Sequence, residues 1–541
     1  MNVKPISILS KPKIVKDYRN QAKEALQFFQ YNPFEEGVFQ KRLDDLSANS
    51  YQRKELQDVL KSCNQKWNAP AHTFKNIERL GDEKSVVVVG GQQAGLLTGP
   101  LYSIHKMISV IRLAKEQEKE LGVPVIPVFW IAGEDHDYEE INHVFLPKSH
   151  RMKKFKTLQR QESKKSVSHM KLDKNQTHQW LDNLFINLTE TEHTRTLHNE
   201  FKAIIDNSET FVDFFAKVTF YLLQSEGLVL MDSGDASIRK LESPYFVNMI
   251  RRQTSLAKGV TEKLNEASVN GYHIPLDADV EDGHLFYHLD GERVLLSVND
   301  NGKWVGKNDE CSFTAEELIQ IAEESPQLLS NNVVTRPIMQ ELLLPVLAFI
   351  GGPGEIAYWS VLKSAFETLD QKMPPVIPRL SYTLVDAKSQ KQMRKLALDV
   401  GRVINEGIDA ERSGWLKRQT NPPIEELSDQ VKLSIEKIHQ PIRQLAKEIE
   451  DDVGQLAEKN LAFLLREIDY LGERMEYSVR KKHWMTLQKY EHIEMMLHPE
   501  GGLQERTWSI LYWLNHYGDS WISNLIDQKV GWNQDHFAVY L

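Results

Sequence analysis

Residues 86–106 read Val86-Val87-Val88-Val89-Gly90-Gly91-Gln92-Gln93-Ala94-Gly95-Leu96-Leu97-Thr98-Gly99-Pro100-Leu101-Tyr102-Ser103-Ile104-His105-Lys106: a β-branched run, a glycine-rich turn, then the start of a helix. Four consecutive valines leave no polar face, so the strand is expected to be covered on both sides, as in a parallel α/β sheet. The turn after it falls where such sheets hold ligands, and its glycines let backbone approach an anion at a helix N-terminus. Apolar spacing at Ile104, Ile108, Ile111 and Leu113 predicts a helix over about 100–120, and Val123 to Ile131 reads as the next strand. Together these form one βαβ crossover and fix a parallel pair.

At 541 residues the chain exceeds what one core supports, so more than one substructure is expected. A core over residues 1–385 would include a helical N-terminal region and insertions at about 148–205 and 265–325. Within the second insertion, Asp290-Gly291 between short apolar runs signals a hairpin. From 386 to 496, apolar residues recur every three or four positions among Glu, Lys, Gln and Arg, the pattern of a helical coiled coil that folds back on itself or pairs with a second chain. The segment 497–541 carries Trp508, Trp513, Trp521 and Trp532 and is expected to dock on the core. A net charge of −10 speaks against a general nucleic-acid binder. Two cysteines, Cys63 and Cys311, support neither a disulfide framework nor a Cys-based zinc site. No apolar run approaches a membrane span and the N-terminus lacks a signal-peptide core, so a cytoplasmic enzyme is expected.

Three segments carry the chemistry expected at the carboxyl edge of the sheet. In the first, Gly90 and Gly95 have P-loop spacing, but Leu96-Leu97 stand where a phosphate-gripping Lys and a Ser or Thr must be, which argues against P-loop hydrolysis. Gly90, Gly91, Gln92, Gln93, Gly95, Gly99 and Tyr102 are read as substrate-binding, and His105 as a catalytic donor to a phosphoryl or carboxylate oxygen. A tight turn with a structural histidine is the alternative. The second strand, with Trp130 near its end, runs into Glu134, Asp135 and His136. Asp135 and His136 are read as catalytic, and Trp130 and Glu134 as substrate-binding. If this segment were helical, His136, Glu140 and His143 would share a face and invite a metal. Acidic first turns also complement the helix dipole, so no metal ligand is assigned. The third, around Gly351, Gly352 and Glu355, matches G-x-G-x-x-A through Gly352, Gly354 and Ala357, but Pro378-Arg379 stand where a dinucleotide site needs an acid. It is read as part of one composite pocket. Lys388, Ser389, Lys391, Gln504 and Arg506 can reach phosphates and are read as nucleotide-binding; a solvated helix turn and a carboxylate-paired arginine are the alternatives.

The segments VVVVGGQQAGLLTGPLYSIHK, PVFWIAGEDHDYEEIN, FIGGPGEIAYW and LHPEGGLQER resemble the cysteine-adding enzymes of bacillithiol biosynthesis, and the likeness spans essentially the whole chain. The resemblance implies an α/β fold with a Rossmann-like parallel-sheet core related to class I aminoacyl-tRNA synthetases, two inserted connecting-peptide elements, and a long coiled coil that makes a homodimer. It also implies joining of the carboxyl of cysteine to the amine of glucosaminyl-malate. Ser103-Ile104-His105-Lys106 lies where such synthetases carry His-Ile-Gly-His, and Lys388-Ser389-Gln390-Lys391 roughly where they carry Lys-Met-Ser-Lys-Ser; both are degenerate here. Amide formation from a free carboxylate is uphill, so ATP or ADP is expected as the source of activation, and the metal requirement stays open. Under this reading Gly90, Gly91, Gln92, Gln93 and His105 stabilise charge on the activated carboxyl, while Glu134, Asp135 or His136 orients the amine and takes its proton. A tRNA-charging enzyme and a non-catalytic scaffold for a thiol pathway are the competing readings.

Overall fold

A computed structural model of the chain describes residues 1–161 and 165–541. Residues 162–164, inside the first expected insertion, lie outside the described residues. The chain divides into two compact units. One comprises residues 1–148, 152–384 and 504–541, the other 149–151 and 385–503.

The first unit is built on a five-stranded parallel sheet: β1 (Val86–Gln92), β2 (Val125–Ile131), β3 (Val229–Asp232), β4 (Val346–Gly351) and β5 (Val376–Pro378). Their order is β3-β2-β1-β4-β5, with every pair parallel. The four valines of β1 are all buried, because β1 is the central strand and helices or loops cover both faces. Helix α1 (Tyr102–Leu121) makes the crossover from β1 to β2 and ends at Gly122, whose φ of 66° closes the helix in a left-handed conformation. In the sequence the run Leu342–Ile350 reads as one strand. Its first part instead closes the helix Thr335–Leu343, and pairing begins at Val346.

The segment between β2 and β3 is largely helical. That between β3 and β4 carries an antiparallel sheet that includes the hairpin Asp282–Leu289 and Glu292–Val298, turned at Asp290-Gly291. The N-terminal region packs on the sheet through polar anchors as well as apolar ones. Tyr18 donates to the Val376 carbonyl at 2.7 Å, and buried Arg42 donates to the Val346 carbonyl at 3.0 Å while pairing with buried Glu341. Residues 1–80 are not helical throughout: Asn2–Ile6 form a strand that pairs antiparallel with His536–Tyr540, which in turn joins Tyr382–Val385. The tail is therefore stitched to both ends of the first unit. Trp508, Trp513 and Trp521 are buried within it, and Trp532 donates to Glu116 at 2.7 Å.

The second unit is helical. α2 (Ile424–Ile449) and α3 (Asp451–Lys482) fold back on each other at Glu450, whose φ of −165° breaks the helix. Lys432 meets Asp469 at 3.0 Å, His439 meets Asn460 at 3.0 Å and Arg443 meets Glu458 at 3.0 Å, which sets an antiparallel register. Gly454 allows the backbones to close near the turn, since a Cβ there would lie 3.1 Å from the Lys447 Cα. Among the described residues no helix is long and apolar enough to cross a membrane.

His536 is buried between the Ser381 and Thr383 hydroxyls at 2.7 and 2.8 Å, and burial pushes its pKa down to about 4 from 6.5. A depressed imidazole stays neutral in the fold while the unfolded chain binds a proton. Its stabilising contribution is whole above pH 6.5 and is lost as pH falls toward 4. Urea titrations across this window are expected to show wild-type stability falling more steeply than that of His536→Gln, by about 1.4 kcal/mol per pH unit.

Candidate active site

Strand order reverses between β1 and β4, and a cavity of about 340 Å³ opens there at the carboxyl edge of the sheet. Every residue lining it belongs to the first unit. Gly91, Gln92 and Gln93 come from the end of β1, Trp130, Ala132 and Asp135 from the end of β2, and Gly352 and Glu355 from the turn after β4. Tyr102 and Lys106 enter from the first turns of α1, Arg379 from the end of β5, and Arg506 from the returning C-terminal segment. The three sequence segments thus meet in one cavity. Gly91 is required by close approach, since a Cβ at that position would lie 2.8 Å from the Trp130 carbonyl oxygen.

One wall is cationic. Lys106 is buried, donates to the Gly91 carbonyl at 2.8 Å and to the Gln92 side chain at 3.1 Å, and pairs with Glu355. Burial pushes its pKa below the ordinary lysine value, against the pull of Glu355. Glu355 also accepts the Gly352 N–H at 2.8 Å, which holds the turn. Arg336 donates to the Tyr358 hydroxyl at 3.2 Å. Arg379 is 6% exposed and grips Glu505 with both terminal nitrogens, at 2.7 and 2.6 Å. Arg506 stands exposed at the rim. Acidic side chains line the cavity as well, and the Arg293 guanidinium lies 3.9 Å from one of them, Asp135. The Asp135 side chain keeps 27% of its surface exposed and accepts Gln93 at 2.6 Å and its neighbour's N–H at 2.7 Å; Glu140 lies nearby. With lining groups of both signs, the cavity can hold a zwitterion or a molecule with separate amine and carboxylate groups.

Several expected site residues lie elsewhere. His105 is 0% exposed and absent from the cavity wall: its Nδ1 meets Glu505 at 2.8 Å and its ring stands edge-on to Tyr382. Burial pushes its pKa down, so it is a neutral donor to Glu505 and not a cavity-facing acid. Gly90 packs against α1, where a Cβ would meet the Val110 methyl at 2.8 Å. Gly95 and Gly99 press on each other across a turn in which Leu97 and Thr98 have positive φ, so they shape the turn and do not line the cavity. Gly351 is enclosed by Ile356, Phe349 and Val376. Glu134 is buried in an ion pair with Arg239, which also binds Glu242. His136 turns aside to Arg293, 3.4 Å away. Helix is confined to Tyr138–Ile141 and His143 begins a strand, so the shared helical face imagined for His136, Glu140 and His143 does not form. Among the described residues no group of three or more His, Cys, Asp or Glu side chains is arranged to hold a metal.

The expected nucleotide set is scattered. Gln504 is buried and spends its amide on the backbone of Leu384, at 2.8 Å in both directions. Ser389 is buried in the second unit, where its N–H is capped by Asp386 at 2.8 Å. Lys388 and Lys391 are exposed on the helix Ala387–Leu396 of that unit, and of the five only Arg506 lines the cavity described here. Conversely, Lys106, Arg336 and Arg379 were not assigned. Lys106 sits beside His105 at the head of α1, a signal within reach; Arg336 lies in no local motif at all.

Comparison with known proteins shows the family. The family model of bacillithiol biosynthesis BshC, N-terminal Rossmann-like domain, matches residues 1–380, and that of the BshC C-terminal coiled-coil domain matches residues 382–541. The chain belongs to the BshC family. Family members named "Putative cysteine ligase BshC" are 40% identical in Oceanobacillus iheyensis, 42% in a Geobacillus species and 39% in Bacillus thuringiensis, each alignment covering all of both chains. A solved structure titled as a putative arginyl-tRNA synthetase from Campylobacter jejuni aligns over 90% of this chain and all of its own at 10% identity. Its TM-score of 0.23 is too low to support an inference.

The adjacent carboxylates of this BshC chain have opposite jobs, which substitution separates. Glu134→Ala strips buried Arg239 of one of two counter-ions and is expected to lower unfolding free energy by about 3 kcal/mol in urea titrations. Asp135→Asn is expected to change it by less than about 1 kcal/mol, because that side chain is partly solvated.

Proposed function

We propose that this chain joins the carboxyl of cysteine to the amine of glucosaminyl-malate, completing bacillithiol. Membership of the BshC family supports the pathway, and the names of the relatives support cysteine as a substrate. The observation that carries the reading is the cavity itself, lined both by the cations Lys106, Arg336, Arg379 and Arg506 and by the acids Asp135 and Glu140. In this reaction Asp135 orients the attacking amine and takes its proton as the C–N bond forms, while the acyl C–O bond to the phosphate or nucleotide that activates the cysteine carboxyl breaks and that group leaves with the electron pair. Lys106 stabilises negative charge on the acyl oxygen.

Activation by ATP or ADP is part of the proposal on chemical grounds, because a free carboxylate does not condense with an amine unaided. The five residues expected to hold the nucleotide do not fit as a set, since Gln504 and Ser389 are committed to other partners. No residue is therefore assigned to the nucleotide. Purified protein with cysteine and glucosaminyl-malate is expected to yield the thiol product by mass spectrometry when ATP or ADP is added. Absence of product under every nucleotide and metal condition overturns the reading. Asp135→Asn is expected to lower kcat by about 10²–10⁴-fold, the range of a lost general base.

We propose further that a second copy of this chain covers the coiled coil. Ile438, Ile442, Leu445 and Ile449 lie exposed at helical spacing on α2, and Leu456, Phe463, Tyr470 and Tyr477 recur every seventh residue on α3, also exposed. Such a ladder is the seam of a coiled-coil partner. Light scattering is expected to give a dimer of the 62.5 kDa chain, converted to monomer by Ile442→Asp together with Phe463→Asp. A monomeric wild type removes this part of the proposal.

A further inference from the structure

Two charged side chains, Glu505 and Arg379, and the neutral His105 ring are almost wholly enclosed and form a relay behind the cationic wall. The Glu505 carboxylate, 2% exposed, accepts Arg379 through both oxygens at 2.6 and 2.7 Å and His105 Nδ1 at 2.8 Å. Burial alone would raise the pKa of this carboxyl, but the Arg379 guanidinium and the His105 hydrogen bond hold it well below the usual range, so it is charged. Arg379 has a second acid within reach. A Cβ placed on Gly352 would lie 3.4 Å from both the Arg379 Nε and the Glu355 Oε2, so one glycine separates the guanidinium from the partner of Lys106.

Two buried cations therefore flank two carboxylates, and the pairing could exchange. If Glu505 were neutral, Arg379 would be left buried without a counter-ion, which is costly, and the nearest remedy is Glu355. That move would take Glu355 from Lys106, turn the guanidinium edge away from the cavity and disorder the wall. Next to Glu505 in the chain, Gln504 is clamped to both backbone groups of Leu384.

We propose that Glu505 is a positioning residue for the cationic wall. Through the fork on Arg379, with His105 fixing its other side, it holds Arg379 off Glu355 and leaves a guanidinium edge to bind a carboxylate of the substrate. The identity of that ligand as glucosaminyl-malate rests on the function proposed above; the placement of Arg379 does not.

The test is a double-mutant cycle on the full-length chain, with calorimetric titration of glucosaminyl-malate into wild type, Glu505→Gln, Arg379→Gln and the double variant. Each single variant is expected to bind about tenfold or more weakly, the scale of a lost charged hydrogen bond, and the double variant no more weakly than Arg379→Gln, because Glu505 acts through Arg379. Losses that multiply, or wild-type affinity in Glu505→Gln, overturn the proposal. Should Glu505→Gln fail to fold, Arg379→Lys replaces it. That variant keeps the charge and loses the fork, and undiminished affinity overturns the proposal just as well. If wild type binds no glucosaminyl-malate, the ligand assignment fails, and a crystal structure of Glu505→Gln decides the relay. Arg379 turned onto Glu355 supports it, and Arg379 unmoved overturns it.

Discussion

A parallel sheet that winds outward in both directions from one central strand cannot seal the space above that strand's carboxyl end. The crossovers from β1 to β2 and from β4 to β5 leave toward opposite flanks, and the loops that follow β1 and β4 diverge. In the resulting crevice Gly91, Asp135, Glu355 and Arg379, up to nearly 300 residues apart, face a common space. The insertions, the N-terminal helices and the C-terminal tail pack around this frame. Each contributes side chains to the rim or braces those that reach it.

Enclosed ions hold the frame together at its long-range joints. Arg42 with Glu341 ties the N-terminal region to the helix before β4, Arg239 with Glu134 and Glu242 ties the loop after β2 to the helix after β3, and Arg379 with Glu505 and His105 ties β5 to the tail. Such pairs add little net stability over an apolar contact of the same size, because desolvation offsets most of the attraction. Breaking one is expensive, however, so they penalise wrong arrangements more than they reward the right one. That property suits a cavity wall, where direction matters more than affinity between the parts.

Local signals made the frame legible. Four valines in a row, an Asp-Gly turn and a three-or-four periodicity in residues 424–475 point to β1, to the hairpin and to α2 and α3, because each depends on near neighbours and on which faces are covered. Boundaries near buried helices were less legible. Leu342 and Leu343 are as apolar as a strand, and only their packing in the helix Thr335–Leu343 assigns them. The strand Asn2–Ile6 was hidden because its partner lies more than 500 residues away.

The sequence by itself determined which segments reach the carboxyl edge of the sheet, since strand-then-glycine patterns are local and chirality fixes where the crossovers go. It did not determine which side chains there face the ligand. His105 and Lys106 are consecutive on one helix, and a rotation of about 100° per residue puts one behind the wall and the other in it. Glu134 and Asp135 divide in the same way, one buried against Arg239 and the other partly open to the cavity. That choice depends on the counter-ion each finds, and Arg239, Arg379 and Glu505 come from distant parts of the chain that only the tertiary fold brings near.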